Sequence, residues 1–178
     1  IDPNYAPVYY RIGRIFESQR NPEMFLGYYE KAINANSKFA LAYLSLYEYY
    51  ANRDVNKAKE FLDLYIANAD KDTENDYFYA DYLFRSGKYQ ESLAKGKEIE
   101  GALNGEKFPK LYKLYYFNYD RMGDSVNAMQ NMEKFLAEEE PGRIGGEDFA
   151  LMAAAYLRVP GNTAKAELVA EKAIAADT

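Results

Sequence analysis

The sequence predicts an all-α fold, an α-solenoid of antiparallel helix hairpins, and three observations lead to it. Residues 9–32 set the unit: Tyr9, Ile12, Gly13 and Phe16 share one helical stripe, Asn21-Pro22 breaks it, and Phe25, Tyr29 and Ala32 open a second stripe. The first stripe then recurs from Tyr43, Asp76, Tyr112 and Phe149, in steps of 34, 33, 36 and 37 residues counted from Tyr9. No heptad or strand pattern has that period, whereas a stacked two-helix unit does.

Taken in order, the recurring first helices carry Tyr43, Leu46, Tyr47 and Tyr50, then Asp76, Tyr79, Ala80 and Leu83. Tyr112, Tyr115, Tyr116 and Tyr119 follow, then Phe149, Met152, Ala153 and Tyr156. Turn signals close each one at Arg53-Asp54, Ser86-Gly87, Met122-Gly123 and Pro160-Gly161. The second helices are expected to bury Ala58, Leu62 and Tyr65, then Leu93 and Ile99, then Ala128, Met132 and Phe135, then Ala166, Ala170 and Ala173. Ten helices result.

These residues resemble the tetratricopeptide-repeat family over nearly the whole chain, in five degenerate repeats at about 5–38, 39–70, 71–104, 109–142 and 146–178. Repeat one carries the family's Gly13, Tyr29 and Ala32, and Asp2-Pro3-Asn4 resembles its inter-repeat turn. The sequence departs from the pattern at Phe25, where a small residue is expected, at Asp76 and Gly96, where aromatics are, and at Asn36-Ser37, which lacks proline. The resemblance implies a right-handed superhelix without catalysis, whose concave face binds a peptide or partner protein.

Volume complementarity supports the register, because close-packed helix crossings need a roughly constant filling. The expected pairs are Gly13 with Phe25, Tyr47 with Ala58 and Tyr116 with Ala128, large against small. Ala80 with Ser92 and Ala153 with Ala166 are small on both sides, which predicts closer crossings or looser packing. Two connections, 101–108 and 141–146, are longer than the rest and read as length drift, and Glu138-Glu139-Glu140 reads as a solvated, frayed helix end.

Composition excludes most chemistry. The chain has 178 residues, a net charge of −6, 19 Tyr and no Trp, His or Cys. The sign of the charge argues against nucleic acid and anionic lipid, and the longest apolar run, 149–157, is far too short for membrane insertion. Without His or Cys there is neither imidazole catalysis nor a thiol nucleophile. Asp70, Asp72, Glu74, Asp76 and Asp81 are spaced like calcium-loop ligands, but Asn75 stands where that loop needs Gly. Gly142, Gly145 and Gly146 lack the Lys and Ser or Thr of a phosphate loop. No enzyme, cofactor or metal is predicted.

A second face of each first helix, offset from the buried stripe, is predicted to look into the concave side. It carries Tyr10 and Arg14, Leu44 and Glu48, then Tyr77, Asp81 and Phe84, then Lys113, Phe117 and Arg121, then Ala154 and Arg158. Rings beside charges of both signs fit an extended peptide or a helix, and the competing reading is that these rings pack on neighbouring repeats. The family's clamp for acidic chain ends is not matched, since its positions hold Tyr10, Arg14, Ser45, Glu74 and Phe78. Starting that frame at the fourth repeat gives Lys113 but Phe117 and Leu151, which fails as well. The rival functions are a structural spacer within a longer array and, more remotely, carbohydrate binding through exposed Tyr. The Tyr- and Asn-rich style resembles exported bacterial members of the family, so a periplasmic or exported location is expected. The opening Ile1 and the Ala175-Ala176-Asp177-Thr178 end, with Val8, Ile15, Val169 and Ile174 near the termini, lead to the expectation of a segment cut from a longer solenoid, with weak self-association through its ends.

Overall fold

The computed structural model describes residues 5–176, apart from the side chain of Glu74. Ile1, the Asp2-Pro3-Asn4 turn expected from the sequence, and Asp177-Thr178 lie outside the described residues. Among those described are ten α-helices: α1 (Ala6–Ser18), α2 (Pro22–Ala35), α3 (Ala40–Tyr50), α4 (Val55–Asn68), α5 (Thr73–Arg85), α6 (Tyr89–Ala102), α7 (Pro109–Arg121), α8 (Ser125–Glu138), α9 (Gly146–Leu157) and α10 (Thr163–Ala176). A 3₁₀ turn, Pro141–Arg143, precedes α9, and no strand occurs among the described residues. The fold is all-α, of the helix-hairpin solenoid class. None of these helices is long and apolar enough to cross a membrane.

Helix starts follow from local chemistry. Asn21 accepts from the Met24 amide at 3.2 Å and Pro22 takes the first helical position of α2. Asp54 accepts from the Asn56 and Lys57 amides, both at 3.1 Å, and Asp124 from Asn127 at 3.1 Å. At α9, the Asp148 carboxylate reaches back to the Gly145 amide at 3.0 Å.

The chain divides into two compact units, Ile1–Ser86 with α1–α5 and Gly87–Thr178 with α6–α10. In the first, one cluster joins Ala6, Phe25, Tyr29, Ala32, Ala42 and Leu46. A second joins Tyr43, Tyr47, Ala51, Ala58, Leu62 and Tyr65. Tyr47 and Ala58 thus share a core, as volume complementarity predicts. The Gly13 expectation needs correction. A Cβ on Gly13 would stand 2.5 Å from Cε1 of Tyr29, so Tyr29 fills the gap and Phe25 does not. Phe25, one helical turn earlier, instead meets Tyr49 of α3 edge-on at 5.3 Å. Both residues lie on the same face of α2, and the crossing point of α1 decides which one enters the notch.

The second unit repeats the device. Its core joins Tyr116, Ala128, Met132, Phe135, Met152, Ala155, Tyr156 and Ala166. Gly96, read from the sequence as a missing aromatic, is a notch in α6 into which the Tyr115 ring of α7 packs. The final helix is less covered: Ala166 is buried, while Ala170 and Ala173 are half-buried. The acidic run 138–140 is not a frayed, solvated end. Glu138 closes α8, Glu138 and Glu139 are half-buried, and Glu140 leads into the 3₁₀ turn and pairs with Arg143 at 3.1 Å. The connection after α6 is shorter than expected, because the helix runs on to Ala102 before Asn104 and Gly105 turn the chain at positive φ.

Candidate interaction surface

In the first unit, α1, α3 and α5 carry seven of the predicted face residues. Tyr10 is half-buried, 5.7 Å from the Tyr29 ring and edge-on to Phe39 at 5.5 Å. Arg14 is exposed and pairs with Glu17 at 3.2 Å. Partial burial pulls its pKa down, but the combined field of Glu17, Tyr10, Tyr29 and Glu48 raises it on balance. Exposed Glu48 of α3 lies in the field of Arg14. Tyr77 and Phe84 are half-buried on α5, Tyr77 lying edge-on to Phe78 at 6.0 Å.

Asp81 does something different. It accepts from the Tyr47 hydroxyl at 2.8 Å and from Arg85 Nε at 2.6 Å, and Arg85 also donates to the side chain of Asn52. This carboxylate links α5 to α3 from a mostly buried position.

In the second unit, Phe117 is half-buried against the core and lies 5.1 Å from the Tyr116 ring. Lys113 reaches from α7 to Asp148 of α9 and sits 5.3 Å above the Phe135 ring. Arg158 pairs with Asp120 of α7, and Arg121 is exposed at the end of that helix. Asp81, Lys113 and Arg158 thus each fasten first helices of neighbouring hairpins within a unit. Arg14, Glu48 and Arg121 remain at the surface.

The many tyrosines have a common use. Tyr29 donates to Glu17 at 2.9 Å, Tyr47 to Asp81, Tyr115 to Glu100 at 3.3 Å and Tyr156 to Glu133 at 2.7 Å. Each ring fills the core while its hydroxyl ends on a carboxylate of another helix, which Phe cannot do. Burial first, and the facing carboxylate second, push all four phenols upward, Tyr156 to about 12.

Two arginines outside the predicted face also matter. Arg20 and Arg53, with Glu17, Phe25, Glu48 and Tyr49, line a cleft of about 420 Å³ in the first unit. The sequence shows them as Arg20-Asn21 and Arg53-Asp54, at the turn position where later hairpins carry Gly. That contrast was the signal available. No group of three or more acidic side chains among the described residues is placed to hold a metal ion.

Solved structures with this arrangement are numerous. A tetratricopeptide-repeat protein from Parabacteroides merdae superposes with a TM-score of 0.79 at 18% identity, over 97% of this chain and 66% of that one. The chain has the tetratricopeptide-repeat fold. The thermophilic tetratricopeptide-repeat protein TTC0263 from Thermus thermophilus gives 0.75 at 18% identity, over 96% of this chain and 91% of its own. YrrB, a tetratricopeptide-repeat protein with an unusual peptide-binding site, gives 0.58 at 18% identity, over 98% and 87%. The chain spans slightly less than two-thirds of the length of the Parabacteroides protein. No family model matches the sequence, and no curated protein matches it. The tetratricopeptide-repeat fold is thus carried by a sequence whose individual repeats depart from the usual pattern, at Phe25, Asp76 and Gly96 among others.

Proposed function

We propose that this chain is a non-catalytic scaffold that binds a peptide or partner protein on the concave face formed by the first helices of its hairpins. The observation that carries the reading is the α1–α3 surface, where exposed Arg14 has both the half-buried Tyr10 and the oppositely charged, exposed Glu48 in its field. Rings that are already fixed by packing offer area at little entropic cost, and flanking charges set the register of an extended ligand. The peptide-binding description of YrrB, which shares the fold, is in keeping with it. A pull-down from native extract with the full chain tests it, run beside Arg14→Glu with Glu48→Lys and beside Arg121→Glu. Partners lost in the charge variants, with helicity unchanged by circular dichroism, support the face. An identical set of partners in all three samples refutes it.

A spacer role is the second reading, and a specific observation favours it. Asp81, Lys113 and Arg158 of the predicted face fasten neighbouring helices, as a stiffening element requires. Under that reading the pull-down returns nothing above a scrambled control.

A further inference from the structure

Each second helix of a hairpin begins two residues after a turn position that swings the chain round. That position is Arg20 before α2, Arg53 before α4, Gly87 before α6, Gly123 before α8 and Gly161 before α10. The three glycines sit at φ 76°, 78° and 87°, where the absence of Cβ makes the left-handed region accessible. Arg20 sits there too, at φ 56°, a conformation unfavourable to any residue with a Cβ. On backbone grounds alone glycine would serve this turn better. Arg53 stands at the equivalent sequence position one hairpin later, without the positive φ, and both arginines line the same cleft.

The rest of the cleft suits one kind of ligand. Its floor is the edge-on pair Phe25 and Tyr49, 5.3 Å apart. Arg53 lies over the Tyr49 ring at 4.2 Å and donates through Nη1 to the Tyr49 carbonyl at 2.6 Å, which fixes the guanidinium and leaves further N–H donors. Of the two acids on the wall, Glu17 pairs with Arg14 and accepts from Tyr29, and Glu48 lies in the field of Arg14. With Arg14 counted beside the lining residues, three guanidiniums stand against two carboxylates around an aromatic pair, in a volume of about 420 Å³. We infer that this cleft takes a carboxylate of a peptide segment between Arg20 and Arg53, with an adjacent apolar side chain laid on Phe25 and Tyr49. The inference rests on the scaffold reading for its kind of ligand, and it extends the contact from the first-helix face to the hairpin turns beside it.

Titration followed through the arginine Nε–H resonances of the full chain tests it directly. The probes are acetyl-Leu-Phe with a free carboxyl end, acetyl-Glu-Phe-amide, the uncharged acetyl-Gln-Phe-amide, and inorganic phosphate. Arg20 and Arg53 resonances are expected to shift to saturation with at least one carboxylate peptide, and the uncharged peptide to bind about tenfold more weakly or worse. Whichever carboxylate peptide binds better identifies a chain end or an acidic side chain as the source. Arg20→Gly and Arg20→Gln should each lose about tenfold in affinity. Arg20→Gly should also melt at or above the parent temperature, which separates lost binding from lost folding. The proposal is overturned by the absence of saturation with both carboxylate peptides, by equal binding of the uncharged peptide, by tighter binding of phosphate, or by an Arg20→Gly protein that binds like the parent or melts below it. Because the titration reads the cleft itself, its failure leaves the scaffold reading to its own pull-down.

Discussion

Replacing Gly13 by Ala sets two effects of known size against each other. In a helix interior the change from Gly to Ala is worth about 1 kcal/mol in favour of Ala. The new methyl, however, would stand 2.5 Å from Cε1 and 2.7 Å from Cδ1 of Tyr29, against an ordinary contact distance of 3.4 Å or more. The ring cannot step aside cheaply. It is fully buried, its hydroxyl is held by Glu17, and Tyr10 and Phe25 lie 5.7 and 5.8 Å from its centroid. Overpacking of this kind costs about 1–3 kcal/mol, so Gly13→Ala should lose about 1 kcal/mol net. Gly27 is the internal control, since it lies in α2 with open space where a Cβ would stand and should gain about 1 kcal/mol as Ala. Urea unfolding of both variants, followed by circular dichroism, should therefore separate their midpoints in opposite directions from the parent. In a Tyr29→Ala background, Gly13→Ala should become stabilising. A Gly13→Ala protein that matches Gly27→Ala in the parent background refutes the notch.

Further expectations follow from the same packing. Tyr10→Ala and Phe117→Ala, whose rings lie against the cores, should each lower stability by about 2 kcal/mol in urea unfolding. Loss of partner binding in these two variants is therefore no evidence of direct contact unless stability is restored. Buried Asn118 donates to Ser92 Oγ at 3.0 Å and to the Leu114 carbonyl at 2.9 Å, while its own Oδ1 has no protein partner. Ser92→Ala should cost about 1 kcal/mol, and Ser92→Ala with Asn118→Leu should cost less than the sum of the single changes in a double-mutant cycle. The side chain and then the backbone N–H of Asn127 hold the Asp124 carboxyl below its usual range. Its capping contribution to α8 is thus present above about pH 4 and is lost as the pH falls through the lower folded value. Carboxyl resonances should show the depressed titration of Asp124, and Asp124→Asn should keep the cap without that titration.

The helices were legible because each needs only its own stripe and its own stop. Asn21-Pro22, Asp54 and Asp124 are local signals, and they start α2, α4 and α8 where the periodicity resumes. Contacts between helices were less so. Phe25 and Tyr29 are one turn apart on the same face, and only the crossing of α1 selects Tyr29 for the Gly13 notch. Of the predicted face, Arg14, Glu48, Arg121 and Arg158 are exposed, and Asp81, Lys113 and Arg158 are tied to residues 34 to 38 positions away. One repeat period separates those partners, so a search for opposite charge at that spacing would have found two of the pairs. Arg20 is not legible in this way, because nothing in a dipeptide announces a positive φ, although its contrast with Gly87, Gly123 and Gly161 at the same turn position stands in the sequence.

The phenols that end on carboxylates give this chain an asymmetric response to pH. It has no His and no Cys, the side chains that ordinarily change charge near neutrality. Tyr29, Tyr47, Tyr115 and Tyr156 each hold their proton more tightly when folded than when unfolded. The stabilisation this represents is complete below about pH 10, where an unfolded Tyr is still protonated, and drains away as the medium grows more basic toward the folded values. Ionising any one of the four would place an anion in a core against an acid that already carries a charge. Strong base should thus open the hairpins from the inside, at the rings that hold them together.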